Sequence, residues 1–157
     1  LNIYDEAIAF RKALESIARE DKSALNALDG AEPLHNFPSG SCGLASNLFA
    51  YHLCQKGFEA SEVSVVIEKD TFHSVKTHAW VLANDKYIDL TADQFPEITR
   101  QNVVIHDTDS INWLVSLKEL AESQDNGHVY VNVPELHTGW IDYSELYKQV
   151  VERIART

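Results

Sequence analysis

The segment from Thr77 to Leu90 constrains this chain more than any other. Two runs with strand composition, His78–Leu82 and Tyr87–Leu90, flank Asn84-Asp85, residues that tolerate the positive φ of a two-residue turn. Such a turn fixes the register. Ala83 faces Lys86, Val81 faces Ile88 and Trp80 faces Asp89. Side chains alternate across a strand, so His78, Trp80, Tyr87 and Asp89 should share one face of the sheet. His78 and Asp89 are then diagonal neighbours, ~7–8 Å apart at Cα and within side-chain reach.

The rest of the chain must supply partners for this hairpin. Further strand-like runs lie at Val63–Ile67, Val103–His106 and His128–Val133. Helical periodicity marks residues 3 to 20, where Ile3, Ala7, Phe10, Leu14 and Ile17 form the apolar stripe. Asp5, Glu6, Arg11, Lys12, Glu15 and Arg19 fill the other faces. A short helical piece over Ser23–Leu28 follows, and Glu32–Ser41, with two prolines, reads as loop. From Cys42 the stripe Ala45, Leu48, Phe49, His52 and Leu53 predicts a buried helix that Gly57 and Phe58 stop. Trp113, Leu114, Leu117, Leu120 and Ala121 predict another helix. The last begins with a capping-box-like Asp142 and Glu145. These elements make an α+β domain, helices on a mainly antiparallel sheet, and 157 residues suit one domain over 1–157.

A net charge of −11 repels phosphate backbones and anionic membranes, so neither nucleic acid nor membrane is the expected partner. No apolar run approaches the ~18 residues of a membrane span. The chain opens on Leu1 and lacks methionine, the mark expected of a trimmed or processed product, a fragment of a larger protein, or a delivered effector. Cys42 and Cys54 are twelve residues apart in one helical pattern, hence ~18 Å apart, too far for a disulfide. Free thiols point to a reducing, cytoplasmic compartment. The histidines at 35, 52, 73, 78, 106, 128 and 137 include no His-x-x-x-His, the cysteines no Cys-x-x-Cys, and no glycine loop cradles phosphate. No metal or cofactor is expected. Trp80, Trp113 and Trp140 read as core or pocket wall.

Cys42 stands in Gly40-Ser41-Cys42-Gly43, a glycine-bearing turn into a helix. A helix start surrounds a sulfur with unpaired N–H groups and the positive end of the macrodipole, a setting that suits a nucleophile and its oxyanion. Cys54 has no such setting. His78 supplies an imidazole for proton transfer and Asp89 a carboxylate to orient it, with Asp93 of the same parity as the rival for that third role.

Cys42 opening a helix, then His78-Ala79-Trp80, then Tyr87-Ile88-Asp89 resembles the transglutaminase-like branch of the papain-like cysteine protease fold. The resemblance covers about Phe37 to Phe95. It implies a Cys42, His78, Asp89 triad that transfers an acyl group through a thioester, with a protein or peptide as substrate. Small bacterial members of that superfamily point to amide hydrolysis, as a deamidase or protease; an amine acceptor would make a transglutaminase or N-acyltransferase. A catalytically silent binding domain of the same fold is the other class. Gly40-Ser41-Cys42-Gly43 is also similar to the nucleophile segment of papain proteases, with Asn36 where those enzymes place an oxyanion donor. Those proteases put their histidine ~130–150 residues downstream, whereas His78 follows Cys42 by 36. Oligomeric state is not legible.

Overall fold

The computed structural model describes residues 2–68 and 72–156. In chain order the helices are α1 (Ile3–Ala18), α2 (Lys22–Asn26), α3 (Cys42–Gln55), α4 (Trp113–Ser123) and α5 (Ser144–Ala155). The strands are β1 (Ala60–Val66), β2 (Thr77–Ala83), β3 (Lys86–Asp89), β4 (Val104–Asp107), β5 (His128–Asn132), β6 (His137–Thr138) and β7 (Ile141–Asp142). The fold is α+β. β4, β3, β2, β1 and β5 form one sheet in that order, every pairing antiparallel, and β6 and β7 form a separate hairpin. No helix among the described residues is long and apolar enough to cross a membrane.

The hairpin register follows from the turn. Asn84 and Asp85 sit at φ 51° and 57°, the left-handed pair of a type I′ turn, and Val81 pairs Ile88 while Ala83 pairs Lys86. Alternation then splits the sheet's two faces. Val81, Ala83, Ile88 and Leu90 join a core with Phe10 and Leu14 of α1, Leu48, Phe49 and Leu53 of α3, and Leu146 and Val150 of α5. Trp80, Tyr87, Val63 and Val65 pack with Leu114, Leu117 and Ala121 of α4. The sheet is therefore covered on both sides.

α3 owes its limits to local chemistry. Gly40 at φ +71° reverses the chain ahead of it, a conformation costly for any residue with a Cβ. Its far end is a Schellman motif: the Gly57 N–H donates to the Cys54 carbonyl at 3.1 Å and the Phe58 N–H to Leu53 at 3.0 Å. Phe58 packs back on the core, the expected hydrophobic clasp.

Four expectations need correction. Arg11, assigned to a solvent face of α1, is 5% exposed. Its Nη1 donates to the Leu90 carbonyl at 2.8 Å and to Asp93 Oδ1 at 2.7 Å, Nη2 to Asp93 Oδ2 at 2.9 Å and Nε to Glu15 at 2.7 Å. The guanidinium also stacks over Phe37, so its burial is matched by partners on every side. Trp140, expected in core or pocket wall, is 101% exposed at the turn between β6 and β7. Asp142 does not open α5: it ends β7, and its Oδ1 accepts the Ser144 N–H at 2.9 Å across a local turn. Part of the loop Glu32–Ser41 winds into a 3-10 turn over Glu32–Asn36.

A second buried polar cluster joins three helices. His52 Nε2 donates to Glu6 Oε2 at 3.0 Å, while the Tyr147 hydroxyl, 3.0 Å from Nδ1, donates to that nitrogen in the neutral ring. Burial pushes the His52 pKa down, against the opposing pull of Glu6.

Removing a buried cation leaves its carboxylate partner uncompensated. Arg11→Met should therefore lower unfolding free energy by about 2–4 kcal/mol, read from the urea midpoint; a loss below about 0.5 kcal/mol, the range of ordinary surface substitutions, would refute this role.

Candidate active site

His78 enters the site from β2, one residue into the strand, and Asp89 is the last residue of β3. Nε2 of His78 lies 2.6 Å from Oδ2 of Asp89, with both side chains at zero exposure. The second oxygen of Asp89 is held too: Oδ1 accepts the Thr91 N–H at 2.9 Å and, more weakly, the Thr91 hydroxyl at 3.4 Å. Gln94 Nε2 donates to that hydroxyl oxygen at 3.0 Å. The carboxylate thus has one oxygen for the ring and one for the backbone turn that follows it.

Aromatic rings fix the imidazole's plane. Trp113 stacks on it with centroids 5.5 Å apart at 26°, Phe95 meets it edge-on at 5.0 Å, and Trp80 lies tilted at 5.8 Å. His78 Nδ1 is buried with no partner in hydrogen-bonding geometry among the described residues, and so are the indole nitrogens of Trp80 and Trp113.

Burial acts to lower the His78 pKa, but the negative charge and hydrogen bond of Asp89, with a smaller contribution from nearby Cys42, reverse it and push it up to about 9. Asp89 therefore favours the charged form of the ring. Since one nitrogen is taken by Asp89, the side available to the sulfur is Nδ1.

Cys42 is the first residue of α3, half-buried and a free thiol. Ser41, at the N-cap, does not cap: its hydroxyl donates to the Pro33 carbonyl at 2.9 Å, leaving the first-turn N–H groups without a side-chain acceptor. Asn2, Asp21 and Asn112, by contrast, cap α1, α2 and α4 with their side chains. Cys54, also half-buried, lies near the other end of α3 with its thiol directed at the Ala60 carbonyl, 3.5 Å away.

The rival carboxylate is engaged elsewhere, since Asp93 spans both outer nitrogens of Arg11. Asn36 is exposed at the end of its 3-10 turn. Thr91, Phe95, Trp113 and Arg11 were not singled out from sequence as parts of this site. Asp89-Leu90-Thr91 carried a local signal, a carboxylate two residues before an N–H it can accept. Trp113, read from sequence as core or pocket wall, carried no signal for its contact with His78, which is set only when α4 folds across the sheet. No group of three or more His, Cys, Asp or Glu side chains able to hold a metal ion occurs among the described residues.

No protein-family model, curated protein or solved structure matches this chain.

A raised histidine pKa stabilises the fold in full below about pH 6.5, and that contribution disappears as pH rises through about 9. Asp89→Asn removes the charge that holds the proton, leaving burial dominant. The His78 ring, followed by NMR, should then titrate below its ordinary 6.5 instead of near 9; an unshifted titration would exclude Asp89 as the cause.

Proposed function

We propose that the chain is a thiol-dependent acyl-transfer enzyme of papain-like, transglutaminase-like type, hydrolysing an amide of a protein or peptide. The observation that carries this reading is the fully buried His78–Asp89 pair, which leaves the second ring nitrogen for Cys42. A histidine held only for packing would be satisfied at both nitrogens, as His52 is.

In this mechanism the Cys42 thiolate attacks the amide carbonyl carbon, and the carbonyl electrons move onto oxygen. The uncapped N–H groups at the start of α3 are the donors for that oxyanion. Collapse breaks the C–N bond, and the proton on His78 goes to the departing nitrogen, releasing ammonia or an amine and leaving an acyl-thioester on Cys42. Neutral His78 then takes a proton from water as its oxygen attacks the thioester. The carboxylic acid leaves, and the thiolate and imidazolium are restored. Asp89 does not change protonation; it fixes the ring and stabilises its charged form. An amine in place of water at the second step would give transamidation by the same residues.

A small alkylating reagent should modify Cys42 at least tenfold faster than Cys54 near neutral pH, with the advantage lost in His78→Ala and falling as pH rises through about 9. Peptide masses after digestion locate the adduct. Equal, slow labelling of both thiols would favour the silent binding domain. On a turned-over peptide, a gain of about 1 Da marks deamidation and two fragments mark proteolysis, and Asp89→Asn should slow either on the order of 10²–10⁴-fold.

A further inference from the structure

Beside the start of α3 lies a groove of about 660 Å³ whose walls come from distant parts of the chain. Gly43, Leu44 and Asn47 of α3 form one wall; Val131, Asn132 and Val133 form the other; Thr138 and Tyr143 lie at its margin. It begins at the residue next to Cys42. Asn47 pins the walls together, donating to the Glu135 carbonyl at 2.7 Å and accepting the Glu135 N–H at 2.9 Å. The groove is therefore preformed.

Val131 and Asn132 in that wall are the end of β5, which is an edge strand of the sheet. β5 pairs with β1 on one side and with no strand on the other among the described residues. Natural edges are usually blunted by lysine, proline or a bulge. Here His128-Val129-Tyr130-Val131-Asn132 has no lysine or proline, and Val133 beyond it is 79% exposed. At ~3.4 Å per residue the strand presents about 17 Å, room for an extended segment of some five residues. Such a segment gains main-chain hydrogen bonds from the edge and specificity from what lines the groove.

The lining charges choose the occupant. Glu62 and Glu135 are the carboxylates of the groove, and no lysine or arginine among the described residues lines it. Glu62, on β1, is partly desolvated, which raises its pKa, and Asn132 Nδ2 donates to it at 3.3 Å. An incoming cation compensates that desolvation, whereas a carboxylate adds to it. The whole chain, at −11, biases encounter the same way.

We infer that this groove receives an extended, lysine- or arginine-bearing segment of the protein substrate, paired along β5 with its cation at Glu62 and Glu135. The inference rests on the acyl-transfer reading for the word substrate, and its geometry for the rest. The test uses the full chain with Cys42→Ala, so that nothing turns over, and fluorescein-labelled hexapeptides alternating valine with lysine or valine with glutamate. By anisotropy, the lysine peptide should bind at least tenfold more tightly than the glutamate peptide, with an advantage that shrinks as salt rises. Glu62→Gln with Glu135→Gln should reduce lysine-peptide binding about tenfold, and circular dichroism should report that this variant remains folded. Amide exchange at 128–132 should slow on binding, and N-methylation of alternate peptide amides should abolish it.

Equal binding of both peptides, or an unchanged affinity in the folded Gln variant, overturns the inference. So does a dimer of this chain, seen by ultracentrifugation, that protects the same β5 amides without peptide. Failure of the catalytic reading is separate: it appears as unselective labelling of Cys42 in the wild-type chain, a reaction that does not use the groove. Peptide binding with an inert Cys42 would overturn the substrate assignment and make the groove a receptor site.

Discussion

The interaction on which the rest of the site depends is a carboxylate and an imidazole sealed together at 2.6 Å with no exposure to solvent. Taking two charges out of water is costly, and the attraction between them offsets that only when their remaining polar atoms are held as well. Thr91 meets this requirement for Asp89, and Gln94 steadies Thr91. The turn carrying Thr91 is in turn tied down from outside the sheet, because Arg11 donates to the Leu90 carbonyl and clamps Asp93 on either side of it. One buried guanidinium on α1 thus secures the backbone that positions the acid on β3. This makes the first helix part of the site's support although it contributes no reacting group.

His52 and His78 are both buried beside a carboxylate, yet burial wins for one and charge for the other. The contrast lies in the second neighbour and in screening. Glu6 keeps some contact with solvent and the other ring nitrogen of His52 meets a neutral hydroxyl. Asp89 has no solvent contact at all, so its field reaches His78 unscreened, and Cys42 adds to it. His52 stabilises the fold when neutral and His78 when charged. The two therefore pull the pH dependence of stability in opposite directions, the first disfavouring acid and the second disfavouring base.

Much of this was legible because it is set by near neighbours in sequence. Asn84-Asp85 determines a turn, the turn determines a register, and the register brings His78 and Asp89 to one face. Cys42 at a helix start is likewise a local fact. What escaped depends on contacts between segments far apart. A periodicity argument assigns Arg11 to water because it is charged, and cannot foresee that Asp93 and Leu90 will arrive to solvate it. Trp113 stacks on the ring only after α4 packs against the sheet. Trp140 misleads in the other sense, since a large aromatic residue suggests burial while its two-strand hairpin has too little surface to cover it. The papain-like and transglutaminase-like resemblance remains a matter of the short segments around Cys42, His78 and Asp89, and belongs to the proposal rather than to the fold.

The difference in exposure between sulfur and ring has a mechanistic consequence. His78 is 1% exposed whereas Cys42 is half-buried, so under the proposed acyl transfer a substrate would meet the sulfur from the surface side and the ring would act from within. Burial of both side chains keeps the field of Asp89 strong at the ring. Under the same proposal the buried ring takes little part in recognising a substrate. Under that proposal recognition would fall to surfaces flanking the first turn of α3, where Gly43 offers no side chain to block approach and the end of β5 lies across the groove.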